Sequence, residues 1–319
     1  MKKFVNKITK PPKNTFFRIF KAIWRQKAKT PICPNQLNLN GKLVLITGGN
    51  NGIGLETSKG LAARGADIII LARSEIKTKQ AIEEIQKENS VKVSFYKADL
   101  ADIDSIINAV KEIANTFSVR KIDMIVTNAG ITPNGYSTSV QGYEKVFAVN
   151  VLGHHILFKA CIENSLLRND ANIISIAGDI YIVSKKSTPD YFTKKENITN
   201  AYSQSKLGVM WWGYALGRKH QHFSVNLVHP GVVATGLGGG KHGLIRRFIR
   251  KNLMISPKEG AQTTLICATQ PNIINGGYYH NTMGQVILHQ DDPAVDYEKS
   301  EKFWNLLEDI ALIYLKKNK

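Results

Sequence analysis

This chain of 319 residues has three cysteines, no long apolar run and no acidic residue before Glu56. Cys33, Cys161 and Cys267 share no metal-ligand spacing, and their odd number leaves one unpaired in any set of disulfides. We therefore predict free thiols, a reducing compartment and no metal site. No run reaches the roughly 20 apolar residues of a membrane-spanning helix. Zinc-finger spacing, aromatic RNA-binding motifs and a helix-turn-helix are also missing, so nucleic acid is not an expected partner.

The positive charge is concentrated at the N-terminus. Ten of the 43 Lys and Arg residues lie in the first 30 positions, and the formal net charge of the chain is +18. Within residues 16–27, one helical face carries the apolar side chains Phe16, Phe20, Ile23 and Trp24. A basic helix of this kind is typical of segments that lie in a membrane interface. Two alternatives stay open: packing on the protein itself or on another copy, and a targeting peptide.

Beyond this basic N-terminal extension, residues 1–40, we predict a single α/β domain, residues 41–319. Apolar strand-like runs alternate with helical segments, which predicts a doubly wound parallel sheet with helices on both faces. The predicted strands are 42–46, 67–71, 92–96, 123–127, 172–176, 223–228 and 277–280. The predicted helices are 53–64, 75–88, 103–117, 141–164, 201–220 and 257–268. A basic segment rich in glycine, 236–256, is either a mobile cover for a substrate or a solvated helix.

A glycine-rich loop, TGGNNGIG at residues 47–54, follows the first apolar run and opens a helical segment. In this context glycines permit a tight turn, and the helix N-terminus offers free N–H groups and a dipole that favour a phosphate. The positions expected to bind a cofactor are Thr47, Gly48, Gly52, Ile53 and Gly54. The alternative is a plain turn between a strand and a helix.

A second motif places Tyr202 and Lys206 four residues apart, on one face of a helix. A free tyrosine has a pKa of about 10, too high for a good base near neutrality. A nearby ammonium favours the phenolate and lowers that pKa. We therefore expect Tyr202 to be the catalytic acid/base and Lys206 its activator.

Taken in order, the glycine loop, the Asn-Ala-Gly motif at 128–130, Asn150 and the Tyr202/Lys206 pair resemble the short-chain dehydrogenase/reductase family. The resemblance runs from about Gly41 to the C-terminus and is greatest to the retinol-dehydrogenase-like group. It implies a single Rossmann-type domain, a nicotinamide cofactor and an oxidoreductase. It also implies that Lys206 holds the nicotinamide ribose and that Asn150 supports Lys206 through a water relay. Homo-oligomers are common in the family, so self-association is an open expectation.

The resemblance assigns further cofactor contacts. Asp99 and Leu100 would lie at the adenine, although Asp99 could instead cap the next helix. The remaining assigned positions lie beside the cofactor or at its nicotinamide end, and they are Asn128, Ala129, Gly130, Pro230, Gly231, Val233 and Thr235.

The end of the second predicted strand favours NADP(H) over NAD(H). Sites for NAD usually place an acid there to hold the ribose hydroxyls. Here the strand ends in Leu71-Ala72-Arg73-Ser74, and no acid follows until Glu75. Arg73 can pair with a 2′-phosphate in fork geometry. Relatives in the retinol-dehydrogenase-like group carry the same basic residue and mostly use NADP.

One expected catalytic residue is missing. The family's fifth strand normally ends in two serines, the second of which bonds the substrate oxygen, but Ala177 and Gly178 occupy these positions. We do not assign the role to Ser175, Ser184 or Ser187. Loss of this donor weakens stabilisation of the substrate oxygen without abolishing hydride transfer.

These observations predict an NADP(H)-dependent oxidoreductase for an apolar alcohol or carbonyl substrate of retinoid, steroid or other lipid type. Residues 1–30 would hold it on an anionic membrane surface, peripherally and on the cytoplasmic side. Two alternatives stay open: an NADP(H)-binding scaffold or sensor with little turnover, and a membrane-associated interaction protein with a vestigial Rossmann domain.

Overall fold

The computed structural model describes residues 8–10, 23–24, 26, 29–34, 38–193, 200–234, 254–271 and 273–317. In chain order the strands are β1 Ile8–Thr9, β2 Leu43–Thr47, β3 Asp67–Ala72, β4 Val93–Lys97, β5 Ile122–Thr127, β6 Leu167–Ile176, β7 Ser224–His229, β8 Tyr278–His280 and β9 Gly284–Val286. They form one sheet with the order β1-β9-β8-β7-β6-β5-β2-β3-β4. Strands β2 to β8 are parallel to their neighbours, whereas β9 is antiparallel to β8. The predicted doubly wound sheet is confirmed.

Helices cover both faces of this sheet. They are α1 Gly52–Ala62, α2 Glu75–Glu88, α3 Ile103–Thr116, α4 Gly153–Glu163, α5 Ala201–Lys219, α6 Pro257–Thr269 and α7 Tyr297–Lys317. One apolar core lies under α1, α2 and α6, and the larger one lies under α3, α4, α5 and α7. Strands β2 and β3 are almost wholly buried because a parallel sheet covered on both faces needs continuous apolar runs.

The segment before α4 departs from regular helix. The predicted helix 141–164 begins with a short turn, Lys145–Phe147, and continues through a π-helical turn, Ala148–Leu152, before α4. Among the described residues, Lys145–Glu163 is long and apolar enough to cross a membrane, but 83% of its most apolar window is buried inside the fold. Its composition is therefore that of a core helix.

The described part of the N-terminal extension packs on the domain. Strand β1 pairs with β9, and the backbone N–H of Cys33 donates to Oε1 of Gln262 at 2.7 Å. The Arg64 guanidinium donates to the carbonyls of Cys33 and Pro34. These contacts lie outside the predicted helix 16–27, so they show packing on the domain for the flanking residues and not for that helix. Phe16 and Phe20 lie outside the described residues.

Strands β1 and β9 and helix α7 were not predicted, and β6 begins five residues before its predicted start. The three cysteines are free, as predicted, and all three are buried. The basic segment at 236–256 lies outside the described residues except for its last three positions.

Candidate functional site

The order of the strands places a crevice at the carboxyl ends of β2 and β5. In the sheet, β3 lies next to β2 on one side and β5 lies next to it on the other, so the order of the strands reverses direction at β2. Ligands of open α/β sheets bind at such a switch point, outside the carboxyl ends of the strands. The glycine-rich loop at 47–54 begins at the last residue of β2, and the Asn-Ala-Gly turn at 128–130 follows β5. The two predicted motifs are therefore brought together.

The glycine loop has the close packing that its sequence requires. A Cβ on Gly54 would overlap the carbonyl oxygen of Gly48 and come 2.5 Å from Nδ2 of Asn128. Asn51, the N-cap of α1, makes no side-chain capping bond, and the first turn of α1 carries no acid. The N–H groups at this helix start are thus available to an anion, without a carboxylate that would repel it.

Thr47 is the centre of a buried hydrogen-bond network. Its Oγ1 accepts the backbone N–H groups of Asn128 and Ala129 at 2.9 and 3.0 Å. The Nδ2 group of Asn128 donates back to the carbonyl of Thr47 at 3.0 Å. Because Thr47 is fully buried, its side chain holds the Asn-Ala-Gly turn against the loop. We infer that it supports the cofactor site without contacting the cofactor through this hydroxyl.

Arg73 and Asp99 lie beside each other at the ends of β3 and β4. Nη1 of Arg73 is 3.9 Å from Oδ2 of Asp99, and the Arg73 side chain is 59% exposed. The other carboxylate oxygen of Asp99 accepts the N–H of Ala101 at 2.9 Å. Asp102, not Asp99, caps α3. Leu100 is buried. Arg73 is therefore accessible to a phosphate.

Helix α5 carries the predicted catalytic pair. Nζ of Lys206 lies 5.7 Å from the centre of the Tyr202 ring and donates to the carbonyl of Ile176 at 2.7 Å. Burial lowers the pKa of Lys206 to about 8 and raises the pKa of Tyr202. The prediction of a lowered pKa for Tyr202 is therefore wrong for this arrangement. Burial of the phenol raises its pKa by more than the Lys206 ammonium lowers it. That ammonium lies several ångströms from the phenol ring and is bound to a carbonyl.

Asn150 lies in the π-helical turn, where its side chain makes three hydrogen bonds. Its Oδ1 accepts the N–H of Ile131 at 2.8 Å, and its Nδ2 donates to the carbonyl of Ile131 and to Oγ of Ser205. Ser205 precedes Lys206 on α5. Asn150 therefore joins the turn after Gly130 to the helix of the catalytic pair, and its described side-chain bonds do not reach Lys206 directly.

His154 was not predicted, although it follows Asn150 by one helical turn. Its Nδ1 lies 3.2 Å from the carbonyl oxygen of Asn150, and its Nε2 lies 3.0 Å from Oγ1 of Thr47. A carbonyl can only accept, so Nδ1 carries the proton and Nε2 accepts from the Thr47 hydroxyl. Burial lowers the pKa of His154 to about 4, which keeps this neutral form near neutrality. The feature of the sequence that could have identified His154 is a polar residue within an otherwise apolar helix.

The turn after β7 holds the predicted nicotinamide contacts. Gly231 has φ +93°, a conformation that favours glycine, and Val233 forms a β-bridge with Ile255. Pro230 precedes them at the carboxyl end of β7. Thr235, the last of these predicted positions, lies outside the described residues.

Gly178 follows β6 and has an extended backbone, with φ 172° and ψ 137°. A Cβ there would meet one atom within 4 Å, Nδ1 of His229 at 3.9 Å. The nearby serines are buried: Ser175 is fully buried and accepts from Thr127, and Ser184 is buried and bonds Ser203. The donor that the family places here is therefore not replaced by either of these hydroxyls.

A buried polar cluster lies beside Gly178. Asp179, His229 and His280 bring potential metal ligands within 4.8 Å of one another. However, Nδ1 of His229 accepts the N–H of Asp179, and Nδ1 of His280 accepts the N–H of Thr282. In the neutral imidazoles Nε2 then carries the proton, so it is a donor rather than a metal ligand. Tyr278 donates to Asp179 at 2.6 Å, which fits a hydrogen-bonded carboxylate.

Comparison with known families agrees with this arrangement. The model of the short chain dehydrogenase family matches residues 42–242, more than half of the chain. The chain belongs to the short-chain dehydrogenase family. As a member of this family it has the fold that binds a nicotinamide cofactor, and it is a hydride-transferring oxidoreductase.

Among curated relatives, human retinol dehydrogenase 13 is 31% identical over 84% of this chain and 83% of its own length. Mouse retinol dehydrogenase 12 is 29% identical over 86% of this chain and 88% of its own. Human polyprenol dehydrogenase is 29% identical over 78% of this chain and 79% of its own length. A solved short chain dehydrogenase from Burkholderia cenocepacia in complex with NADP superposes with a TM-score of 0.62, at 25% identity over 76% of this chain and 97% of its own.

Proposed function

We propose that this protein is an NADP(H)-dependent oxidoreductase for an apolar alcohol or carbonyl substrate, with Tyr202 as its acid/base. The observation that carries the proposal is the Tyr202/Lys206 pair on α5, which Asn150 and Ser205 tie to the turn at the carboxyl end of β5. A bound nicotinamide gives or accepts the hydride.

The choice of NADP(H) rests on Arg73. Its side chain is 59% exposed at the carboxyl end of β3. The sequence has no acid at the end of this strand before Glu75, where sites for NAD usually place one. The nearby Asp99 lies 3.9 Å from the guanidinium and leaves its donors open to a second anion. The NADP in the solved relative from Burkholderia cenocepacia supports the same choice.

Each residue of the pair has a distinct task. In carbonyl reduction Tyr202 donates its hydroxyl proton to the substrate oxygen, and in alcohol oxidation it accepts that proton back. Its raised pKa favours the protonated form, which suits the reduction direction. The ammonium of Lys206 is held in place by its bond to the carbonyl of Ile176, and Lys206 is proposed to hold the nicotinamide ribose.

The substrate class is proposed from the relatives, since a fold alone does not specify a substrate. Retinol and polyprenol, which appear in the names of three similar proteins, are both apolar alcohols. The test is NADPH consumption by the purified protein with retinal, a polyprenal and a steroid ketone, and with a sugar carbonyl as the polar control. Turnover limited to the sugar would overturn the proposed substrate class.

Gly178 favours a second candidate, an NADP(H)-binding scaffold or sensor with little turnover. A missing donor to the developing oxyanion typically costs about 10²–10³ in rate. Tight NADPH binding without consumption of any carbonyl or alcohol would favour this candidate over the enzyme.

We further propose that the N-terminal extension binds an anionic membrane surface. Trp24 is 70% exposed and Ile32 is 80% exposed, in a region with ten basic residues before position 31 and no acid before Glu56. Exposed aromatic and aliphatic side chains next to such charge are suited to an anionic interface. Trp24→Ser should reduce co-sedimentation with vesicles containing phosphatidylserine. Equal co-sedimentation of the variant and the unmodified protein would exclude this contact.

A further inference from the structure

The N-terminal extension contacts the turn after β7 through one buried side chain. Gln26 is 1% exposed, its Oε1 accepts the N–H of Val232 at 2.9 Å, and its Nε2 donates to the carbonyl of Val232 at 3.2 Å. One side chain therefore takes both backbone hydrogen-bonding groups of a residue 206 positions away. A paired amide of this kind fixes the orientation of the two peptide groups that flank Val232.

The packing around this contact leaves little freedom. A Cβ on Gly231 would come 2.9 Å from Oε1 of Gln26 and 2.5 Å from Nδ2 of Asn281. The N–H of Ile255 donates to the same carbonyl of Val232 at 3.1 Å. The carbonyl of Val232 is thus bound by both Ile255 and Gln26, and the extension supplies one of the two donors.

A second tie joins the extension to the same edge of the sheet. Oγ1 of Thr30 donates to the carbonyl of Gln26 at 2.7 Å and accepts from Nδ2 of Asn281 at 3.4 Å. The backbone N–H of Asn281 donates to the carbonyl of His229 at 3.1 Å. Thr30 therefore joins the backbone of Gln26 to Asn281, which is itself bound to the end of β7.

Gln26 and Trp24 point in different directions. The backbone at both positions is helical, and positions two apart on a helix lie on nearly opposite faces. Gln26 is buried against Val232, whereas Trp24 is 70% exposed. One short segment can therefore hold the domain with one face while its other face meets solvent or a membrane.

We infer that Gln26 is a positioning residue for the nicotinamide end of the cofactor site. This inference rests on the proposed function, because it requires that the cofactor lie against the Pro230–Val233 turn. The Gln26 side chain positions that turn, so its loss weakens binding of the nicotinamide half and leaves binding of the adenine half intact.

The test compares two ligands on the full-length chain. NADPH spans the whole site, whereas adenosine 2′,5′-bisphosphate has the adenine and the 2′-phosphate but no nicotinamide. Gln26→Ala removes the side chain, and Gln26→Met keeps its length without either hydrogen bond. Lys29→Ala is the matched control, because Lys29 is exposed in the same segment. Amide hydrogen exchange of Val232 reports the contact itself, without any ligand.

We expect both Gln26 variants to bind NADPH about tenfold more weakly and the bisphosphate within about twofold of the unmodified protein. Exchange at Val232 should accelerate in both, and Lys29→Ala should match the unmodified protein. Equal losses for the two ligands, or unchanged NADPH binding in Gln26→Met, would overturn the inference alone. An unmodified protein that binds neither ligand would overturn the proposed function, and the inference with it.

Discussion

The Thr47 hydroxyl donates a hydrogen bond to Nε2 of His154 across 3.0 Å, which ties the glycine-rich loop to the helix that follows Asn150. Thr47 also holds the Asn-Ala-Gly turn, so a single buried network joins three of the motifs that the sequence places far apart. His154 is the member of this network that was not predicted.

Acid should destabilise the protein through this imidazole. The pKa of His154 is lowered to about 4, so between about pH 6.5 and 4 the unfolded chain binds a proton that the folded chain does not. The free energy of unfolding therefore falls as the pH drops through this range, by on the order of 3 kcal/mol for such a group. His155, whose pKa burial lowers to about 3, adds to the fall.

His154→Gln should therefore show a smaller loss of stability between pH 7 and 4 than the unmodified protein, measured by urea denaturation. His222→Gln, at an exposed histidine, is the control. Identical pH dependence in His154→Gln and the unmodified protein would mean that His154 is not buried as a neutral group.

Restoring a hydroxyl at position 178 should raise turnover. The extended backbone of Gly178 accepts any residue, and among the described residues a Cβ there would contact only Nδ1 of His229, at 3.9 Å. We expect Gly178→Ser to increase kcat by about tenfold or more, since a donor to the oxyanion is typically worth about 10²–10³ in rate. Gly178→Ala has the same Cβ without the hydroxyl and should give no increase. An equal gain in both variants would assign the effect to packing.

Carbonyl reduction should decline as the pH rises through about 8. The pKa of Lys206 is lowered to about 8 by burial, so its ammonium form, which bonds Ile176, is lost above that pH. Tyr202, with its raised pKa, stays protonated through the same range. The check is kcat/KM against pH for the unmodified protein and for Lys206→Arg, which retains its charge. A flat profile for the unmodified protein up to pH 10 would contradict this assignment.

Arg73→Ala should weaken NADPH binding by about tenfold. This is the low end of the range for a charge-assisted hydrogen bond, because the site is exposed. NADH has no 2′-phosphate, so its affinity should stay the same. Lys77→Ala, a change of another exposed cation in the first turns of α2, should leave both affinities unchanged. Isothermal titration with both cofactors measures the difference, and equal affinities in the unmodified protein would reject the preference.

The sequence predicted the parallel sheet because the alternation of apolar runs with helical segments is a local signal. The i, i+4 spacing of Tyr202 and Lys206 is also local and predicted that both lie on one helix face, whereas Asn150 was assigned from the resemblance. Strand β1 has two residues, and its pairing with β9 joins positions more than 270 residues apart, so no local pattern could reveal it. The contact between Gln26 and Val232 was hidden for the same reason. The π-helical turn at Asn150 was not predicted either, since its residues fall within the continuous helix predicted at 141–164.

The direction of the pKa shift of Tyr202 was predicted wrongly for a different reason. The sequence places an ammonium four residues from the phenol, but it does not give the depth of burial or the partner that Lys206 takes. Burial and the bond to Ile176 decide the direction of the shift, and both arise from the packing of α5 against the end of β6.

Tyr202 is proposed to transfer the proton in an NADPH-dependent reaction. The most direct measurement compares Tyr202→Phe with the unmodified protein in two assays, NADPH affinity and NADPH consumption with an apolar carbonyl such as retinal. We predict similar affinities and a loss of turnover of at least about 100-fold, because general acid catalysis contributes about 10²–10⁴ in rate. Turnover that survives the substitution would contradict the account.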